Sequence, residues 1–340
     1  MANELILGFD FSDWNYDSRR ASSPANIGTP TTRLLAKQLN RGVYAQNTTA
    51  LNRSTQLTAG VRAQVVEYQA RDRANTASYA AGSQSANANA LDLGVRHSIN
   101  STWALFGRLG KSFRVASVDE LFDQYGGTSS DSKITMLEPQ TSEDGELGVE
   151  YKESVNSLRA SIFQMNLNNE IHYNAITYKN MNLAPTIRYG AELSGTHHYT
   201  DALLVSANYT YTVAKFREGT YGGINVAGNN IPLVPKHHLS LSSSWELREK
   251  TVLSAALDHV GEQYFDNDQA NTFATKMPAY TTVDVKLIHR SGRWLTTAAV
   301  NNLFNTSYFT YAVASTSTAG KFNAYPMRDR NFAVSASYEF

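Results

Sequence analysis

The chain has 340 residues, and its 30 Lys plus Arg balance 30 Asp plus Glu, so a net charge of +0 offers nothing to nucleic acid by bulk electrostatics. Cysteine is absent, which excludes disulfides, thiolate metal sites, iron–sulfur clusters and cysteine nucleophiles. Charged residues make up only 18 %, Tyr (19) outnumbers Phe (14), and no apolar run reaches the ~18 residues of a spanning helix.

The opening MANELILGFDF has no basic start and no small-residue cleavage site, so no signal peptide is expected there. From that point the chain reads as strands. Alternation is faint over 4–16 and 41–51, then clear where Leu57, Ala59, Val61, Ala63 and Val65 oppose Thr58, Gly60, Arg62 and Gln64. Fainter strands follow at 88–99, 101–114 and 142–154. In the next, Phe163, Met165, Leu167, Ile171 and Tyr173 form the apolar face against Gln164, Asn166, Asn168, Glu170 and His172. A strand over 184–199 precedes the clearest stretch, Leu203 to Val213. There Leu203, Val205, Ala207, Tyr209, Tyr211 and Val213 oppose Leu204, Ser206, Asn208, Thr210 and Thr212. Leu239, Leu241, Trp245 and Leu247 next oppose His238, Ser240, Ser242, Ser244 and Glu246. Strands over 251–264, 279–290 and 293–305 lead to the last, where Phe332, Val334, Ala336, Tyr338 and Phe340 alternate with Ala333, Ser335, Ser337 and Glu339. The count is 14 strands.

Connections alternate as well. Short polar turns fall near 47–54, 97–102, 152–157, 198–201, 247–250 and 289–292. Long irregular segments cover 17–40, 73–87, 115–141, 174–183, 216–235, 263–278 and 305–330. Every strand therefore reverses direction, and one end of the sheet carries all the elaboration. Strands near ten residues long, polar faces of small residues and paired charges, and apolar faces ending in Trp103, Tyr151, Tyr173, Tyr209, Tyr211, Trp245 and Tyr280 predict an all-β transmembrane antiparallel up-and-down barrel rather than a soluble sandwich. Closure would pair every backbone N–H and C=O in lipid.

Particular residues carry a family resemblance. Lys111-Ser112-Phe113-Arg114 with Ser117-Val118-Asp119-Glu120-Leu121-Phe122 resembles a segment of TonB-dependent outer-membrane receptors. So do Leu137-Glu138-Pro139-Gln140-Thr141-Ser142-Glu143 with Glu146-Leu147-Gly148-Val149, and the strand–loop–strand stretch 168–193. Asn208-Tyr209-Thr210-Tyr211-Thr212 followed by Ile231-Pro232-Leu233-Val234-Pro235-Lys236-His237 is similar to another, as are Asn302-Leu303-Phe304-Asn305 and the terminal Tyr338-Glu339-Phe340. The resemblance is good over roughly 90–340 and looser over 1–90, and it is the order of these motifs that is specific. Members carry a TonB-contacting box and a plug inside a barrel of about 22 strands. Residues 1–340 are thus expected to be one β-barrel domain, its last fourteen strands, with plug and TonB box absent. Pro326-Met327-Arg328-Asp329-Arg330 keeps the proline and an arginine of the family's Pro-Gly-Arg but not the glycine.

The resemblance implies uptake of a scarce solute such as a ferric siderophore, in the bacterial outer membrane. A passive 14-stranded channel and an adhesive or structural barrel are the alternatives. The implied partners are outer-membrane lipid, the assembly machinery, a small-molecule chelate, and the TonB complex only if a plug is supplied. On the long-loop side Tyr125, Tyr178, Tyr221, Phe265, Phe309 and Tyr311 are the expected solute contacts, with Phe273 and Phe322 beside them. Tyr338 and Phe340 are expected to be the signal that the assembly machinery captures by β-augmentation.

Inward charges (Arg62, Arg96, Arg108, Glu146, Glu150, Lys152, Glu170, Arg188, Glu192, Asp284 and Lys286) are expected to pair across strands. His197-His198 and His237-His238 cannot chelate one ion, because strand neighbours point to opposite faces. No metal or cofactor is expected. No catalysis is expected either, since no nucleophile elbow, zinc-protease helix or P-loop occurs.

Overall fold

The computed structural model describes residues 3–74, 81–122, 134–174, 179–315 and 317–340. In chain order the strands are β1 (Asn3–Arg20), β2 (Thr32–Ala50), β3 (Thr55–Asp72), β4 (Ala81–Ser98), β5 (Trp103–Arg114), β6 (Gln140–Glu153) and β7 (Asn156–Asn168). Then come β8 (Ile171–Asn174), β9 (Lys179–Asn182), β10 (Thr186–Thr200), β11 (Leu203–Phe216), β12 (Thr220–Tyr221), β13 (Ile224–Asn225) and β14 (His237–Arg248). The last are β15 (Thr251–Val260), β16 (Tyr280–Ser291), β17 (Trp294–Asn301), β18 (Phe309–Ala314), β19 (Phe322–Pro326) and β20 (Asn331–Tyr338).

Fourteen of these form one antiparallel sheet, in the order β1-β2-β3-β4-β5-β6-β7-β10-β11-β14-β15-β16-β17-β20. The other six pair as hairpins within long loops: β8 with β9, β12 with β13, and β18 with β19. Among the described residues no ladder joins β1 to β20, so both are edges of the wall.

The sheet has two unlike faces, and register fixes which residues share each. Val61 stands opposite Ala45 and Leu91, while Leu147 stands opposite Gly107 and Ile162. This outer face is apolar and uncovered: Leu109 and Leu147 are 65 % exposed and Ile162 63 %. So large a greasy surface is costly in water and favourable against hydrocarbon. From Leu57 to Val65 the strand climbs roughly 27 Å; tilted at ~35–45°, that approaches the ~25 Å apolar band of an outer-membrane barrel. At the short-turn end Trp103 packs on Tyr151 with ring centroids 4.9 Å apart, and Trp294 on Tyr338 at 5.0 Å, as interfacial anchors do.

Three sequence expectations need correction. First, β1 to β4 run well past their expected ends, because the alternation changes phase instead of stopping. On β3 the apolar residues switch at Val65 and Val66. Val66, Tyr68 and Ala70 then point inward, at 0 %, 1 % and 4 % exposure, under Ala116, Leu121 and Leu137 of the β5–β6 loop or against Leu34 and Ala36 of β2. Glu67, Gln69 and Arg71 take over the outer face, where the strand has left the oil.

Second, β7 is in the opposite phase. Phe163 lies opposite Glu146 and Met165 opposite Asp144, so Phe163, Met165 and Leu167 face inward and Leu158, Ala160 and Ile162 face out. Asn169, at φ 56°, ends the strand, and Ile171 and Tyr173 belong to the β8–β9 hairpin. Third, Tyr280 lies inward, opposite Val260 and stacked on Tyr308 at 4.6 Å, rather than in an outer girdle.

Candidate functional site

Charges on the inner face form separate ion-paired groups. Asp10 accepts from Arg62 at 2.6 Å. Arg108 bridges Asp92 and Asp144, both at 2.5 Å. Arg159 bridges Glu146 (3.0 Å) and Glu150 (2.7 Å), and Glu150 also holds Arg96 at 2.9 Å. The Arg159 guanidinium lies 3.7 Å above the Phe106 ring, a cation–π contact that fixes it against the wall. Arg188 pairs with Glu170 at 2.7 Å. Such pairs are expected from the sequence, which does not single out Arg159, Asp92 or Asp144; among the described residues Lys152, Glu192, Asp284 and Lys286, expected to pair as well, make no ion pair, and Asp284 accepts the Asn302 N–H instead.

The long loops close over the inner face through four apolar clusters, and Asn and Asp side chains stitch one loop to the next. Asn182 donates to the Glu138 carbonyl at 3.0 Å, and its own carbonyl accepts the Glu138 N–H at 2.9 Å. Asn271 does the same for Asn230, accepting its N–H at 2.7 Å and donating to its carbonyl at 2.9 Å. Asp268 caps its own loop, its carboxylate accepting the Thr272 N–H at 2.8 Å.

At the centre of three loops sits Asp266, 4 % exposed. Tyr311 donates its hydroxyl proton to this carboxylate at 2.5 Å, and the Asn267 N–H donates at 2.8 Å. His172 of the β8–β9 hairpin lies 3.8 Å away and 3.3 Å from the Gln269 amide nitrogen. Burial pushes Tyr311 well above the usual phenol value, and the Asp266 bond adds to it. Burial also raises Tyr221, to about 12, helped by the nearby Asp266 charge. Among the described residues, the Tyr221 hydroxyl and the Gln269 side-chain oxygen are buried here without a hydrogen-bond partner.

Of the aromatics expected to contact solute, Tyr125 and Tyr178 lie outside the described residues. Phe265 is 1 % exposed, packed under Phe273 and Phe322 with centroids 4.9 and 4.6 Å away. Phe309 adjoins Phe322 at 5.9 Å, and Tyr311 adjoins Tyr325 at 5.4 Å. The four phenylalanine rings form one cluster with Phe322 on its open side, Tyr311 and Tyr325 form a separate pair with Tyr325 exposed, and Tyr221 is buried in the neighbouring cluster with Leu183, Phe216 and Val226. Tyr325, Asp266 and His172 escaped sequence reasoning; the run Tyr264-Phe265-Asp266-Asn267-Asp268, two carboxylates among aromatics in a chain of low charge, was the available sign.

The paired histidines are engaged separately. His197 contacts the Asn156 side chain at 3.1 Å, His237 the Tyr209 hydroxyl at 2.8 Å, and His238 the Asp258 carboxylate at 2.9 Å. At the C-terminus Tyr338 and Phe340 meet edge-on at 5.2 Å, Tyr338 on the outer face opposite Trp294.

Comparison with known proteins is consistent with this geometry. A family model described as TonB dependent receptor-like, beta-barrel, matches residues 2–303. The iron-regulated outer membrane virulence protein of Vibrio cholerae (strain O395) is 25 % identical over 228 residues, 61 % of this chain and 34 % of that protein. The ferrioxamine receptor of Yersinia enterocolitica is 27 % identical over 166 residues, 48 % of this chain and 22 % of that protein. The ferric yersiniabactin uptake receptor FyuA from Yersinia pestis superimposes with a TM-score of 0.75 at 17 % identity, over 99 % of this chain and 51 % of the receptor. The chain thus spans about a third or less of the curated relatives it matches and half of that solved receptor. With its two-faced wall of fourteen strands, its loops gathered at one end and its match over most of its length, the chain belongs to the TonB-dependent receptor-like β-barrel family of the outer membrane.

Proposed function

We propose that this chain forms wall and extracellular mouth of a receptor that takes up a ferric chelate across the outer membrane. The observation that carries this reading is the joining of the long loops through Asp266, Asn271 and the Phe265 cluster into one body over a charged inner face. A rigid scaffold that presents aromatics on joined loops suits capture of a small, partly apolar ligand. The names of the two curated relatives point to iron and, for one, to ferrioxamine. Tyr125, Tyr178, Tyr221, Phe265, Phe309 and Tyr311 remain the proposed contact set, with Phe322 and Tyr325 added from their open position.

The fourteen strands are, on this reading, part of a larger closed cylinder, which further strands between the edges β1 and β20 would complete. Coupling to the TonB complex acts through a plug and so lies beyond the wall and mouth described.

Fluorescence titration of the detergent-solubilised protein with iron-loaded ferrioxamine tests the reading. Saturable quenching that Tyr325→Ala and Phe322→Ala weaken by about tenfold or more is expected. A protein that binds no ferric chelate and shows steady conductance in a planar bilayer would be a passive channel instead.

The C-terminal strand is proposed to be read by the assembly machinery. Tyr338 closes the last ladder pair, opposite Trp294, and Phe340 stands two residues beyond it at 103 % exposure, touching the Tyr338 ring. Phe340→Ala is therefore expected to lower the yield of heat-modifiable barrel in outer membranes while leaving refolding in detergent unchanged. Unaltered yield in cells would overturn this.

A further inference from the structure

The inner face has two unlike walls. On β4 to β7 it carries Arg96, Arg108 and Arg159, each held by one or two carboxylates at 2.5–3.0 Å. On β11, β14 and β15 the same face is a panel of small hydroxyl and amide side chains. Ser206 stands opposite Ser242, Asn208 opposite Ser240, and Ser244 opposite Ser254. At β16 the panel gives way to charge, with Asp284 opposite Ala256 and Lys286 opposite Ser254. Part of it lines a concavity of about 420 Å³. From Ser240 to Ser244 it runs roughly 13 Å along the strand, and three strands give it a width of about 10 Å.

Physical chemistry gives these walls different roles. An arginine clamped between two carboxylates has its donors committed and its geometry fixed. It offers a passing solute either nothing or a contact strong enough to trap it. A serine hydroxyl is both donor and acceptor, rotates freely, and is small enough to leave clearance. Passage needs contacts that are favourable enough to enter and weak and numerous enough to leave, which a field of hydroxyls supplies. The panel also begins just below a polar entry: Asp258 accepts from Ser240 and contacts His238, both at 2.9 Å. From these contrasts we infer that the solute descends along the serine panel of β11, β14 and β15, and that the ion-paired wall of β4 to β7 lies off its path. This rests on the uptake reading and specifies its route.

Because the chain has no cysteine, single thiols can be placed at will. Ser242→Cys and Ser254→Cys mark the panel, and Ala90→Cys, opposite Arg62 on the inner face, marks the charged wall. Each variant, in the receptor as the cell makes it, is reacted with a bulky maleimide. Binding of iron-loaded ferrioxamine at the surface and iron uptake are then measured separately. Uptake by each variant before labelling is its own reference. After labelling, both panel sites are expected to keep chelate binding and lose uptake by about tenfold or more, while labelled Ala90→Cys transports within a factor of about two. Normal uptake through a labelled panel, or equal block at both walls, overturns the route while chelate binding persists. Absence of chelate binding by the unmodified receptor overturns the uptake reading itself, and the route with it.

Discussion

Gly190→Val is expected to abolish assembly of the wall. Gly190 lies on the inner face of β10, between Phe163 of β7 and Thr212 of β11. A Cβ at this position would overlap the Tyr211 carbonyl oxygen and come within 3.1 Å of the Phe163 ring. A ring edge can swing aside, but the Tyr211 carbonyl belongs to β11, so a side chain at Gly190 must push two strands apart. Overpacking costs about 1–3 kcal/mol, and each ladder hydrogen bond lost in the separation adds about 1 kcal/mol. With about two such bonds lost the sum is about 3–5 kcal/mol, a large share of the ~5–15 kcal/mol by which domains are stable. Gly60→Ala is the control: a Cβ there meets nothing closer than 3.8 Å, and it should fold as the parent does. Gel mobility with and without heating, and the urea midpoint of refolded protein, read both. A normal midpoint for Gly190→Val would show that β11 yields more easily than its register implies.

The same pairing explains what the sequence could disclose. Alternation is a property of single strands in a two-sided environment, so Leu203 to Val213 declares itself wherever oil lies on one side and water on the other. It fails where the environment changes along a strand. β3 crosses from lipid into a zone with water outside and a folded loop inside, so its apolar residues move from odd to even positions at Val66 while the backbone continues unbroken. On β7 the inner face carries Phe163 and Met165 opposite Glu146 and Asp144, so hydrophobicity alone chose the wrong side.

The loop body is harder still. His172 and Gln269 meet across 97 residues of chain, and Asn230 and Asn271 across 41. Such contacts follow from the curvature and order of the strands, and leave no period behind. Aromatics in the loops could be noticed, but that Phe265 is a floor and Tyr325 a surface depends on how three loops stack.

Asp266→Ala is expected to undock that stack while the wall stays folded. The carboxylate accepts the Tyr311 hydroxyl and the Asn267 N–H, and flanking backbone bonds run from the Asp266 N–H to the Ala312 carbonyl and from the Ala314 N–H to the Asp266 carbonyl, at 3.0 and 3.2 Å. Alanine leaves a half-buried phenol without its acceptor, a loss of about 1–3 kcal/mol in a segment that is only locally stable. Faster hydrogen exchange at residue 266 and Ala314, the two N–H donors of the joint, new protease cuts in 263–278, and weaker chelate binding should appear together, with gel mobility unchanged.

Acid should act on the same joint. Burial holds His172 below the usual histidine value, against the upward pull of Asp266 and Glu170. A base whose docked-state value is depressed binds a proton more readily once undocked. Docking is therefore fully supported above pH ~6.5 and weakens as pH falls below it, by at most about 1.4 kcal/mol per pH unit. His172→Gln, which cannot titrate, should flatten the loss. Exchange rates at the Ala314 N–H, which donates to the Asp266 carbonyl, measured from pH 7.5 down to about pH 5 for parent and His172→Gln, separate these cases. Equal slopes in the two would mean that the joint holds by packing around Phe265 alone, with His172 a bystander.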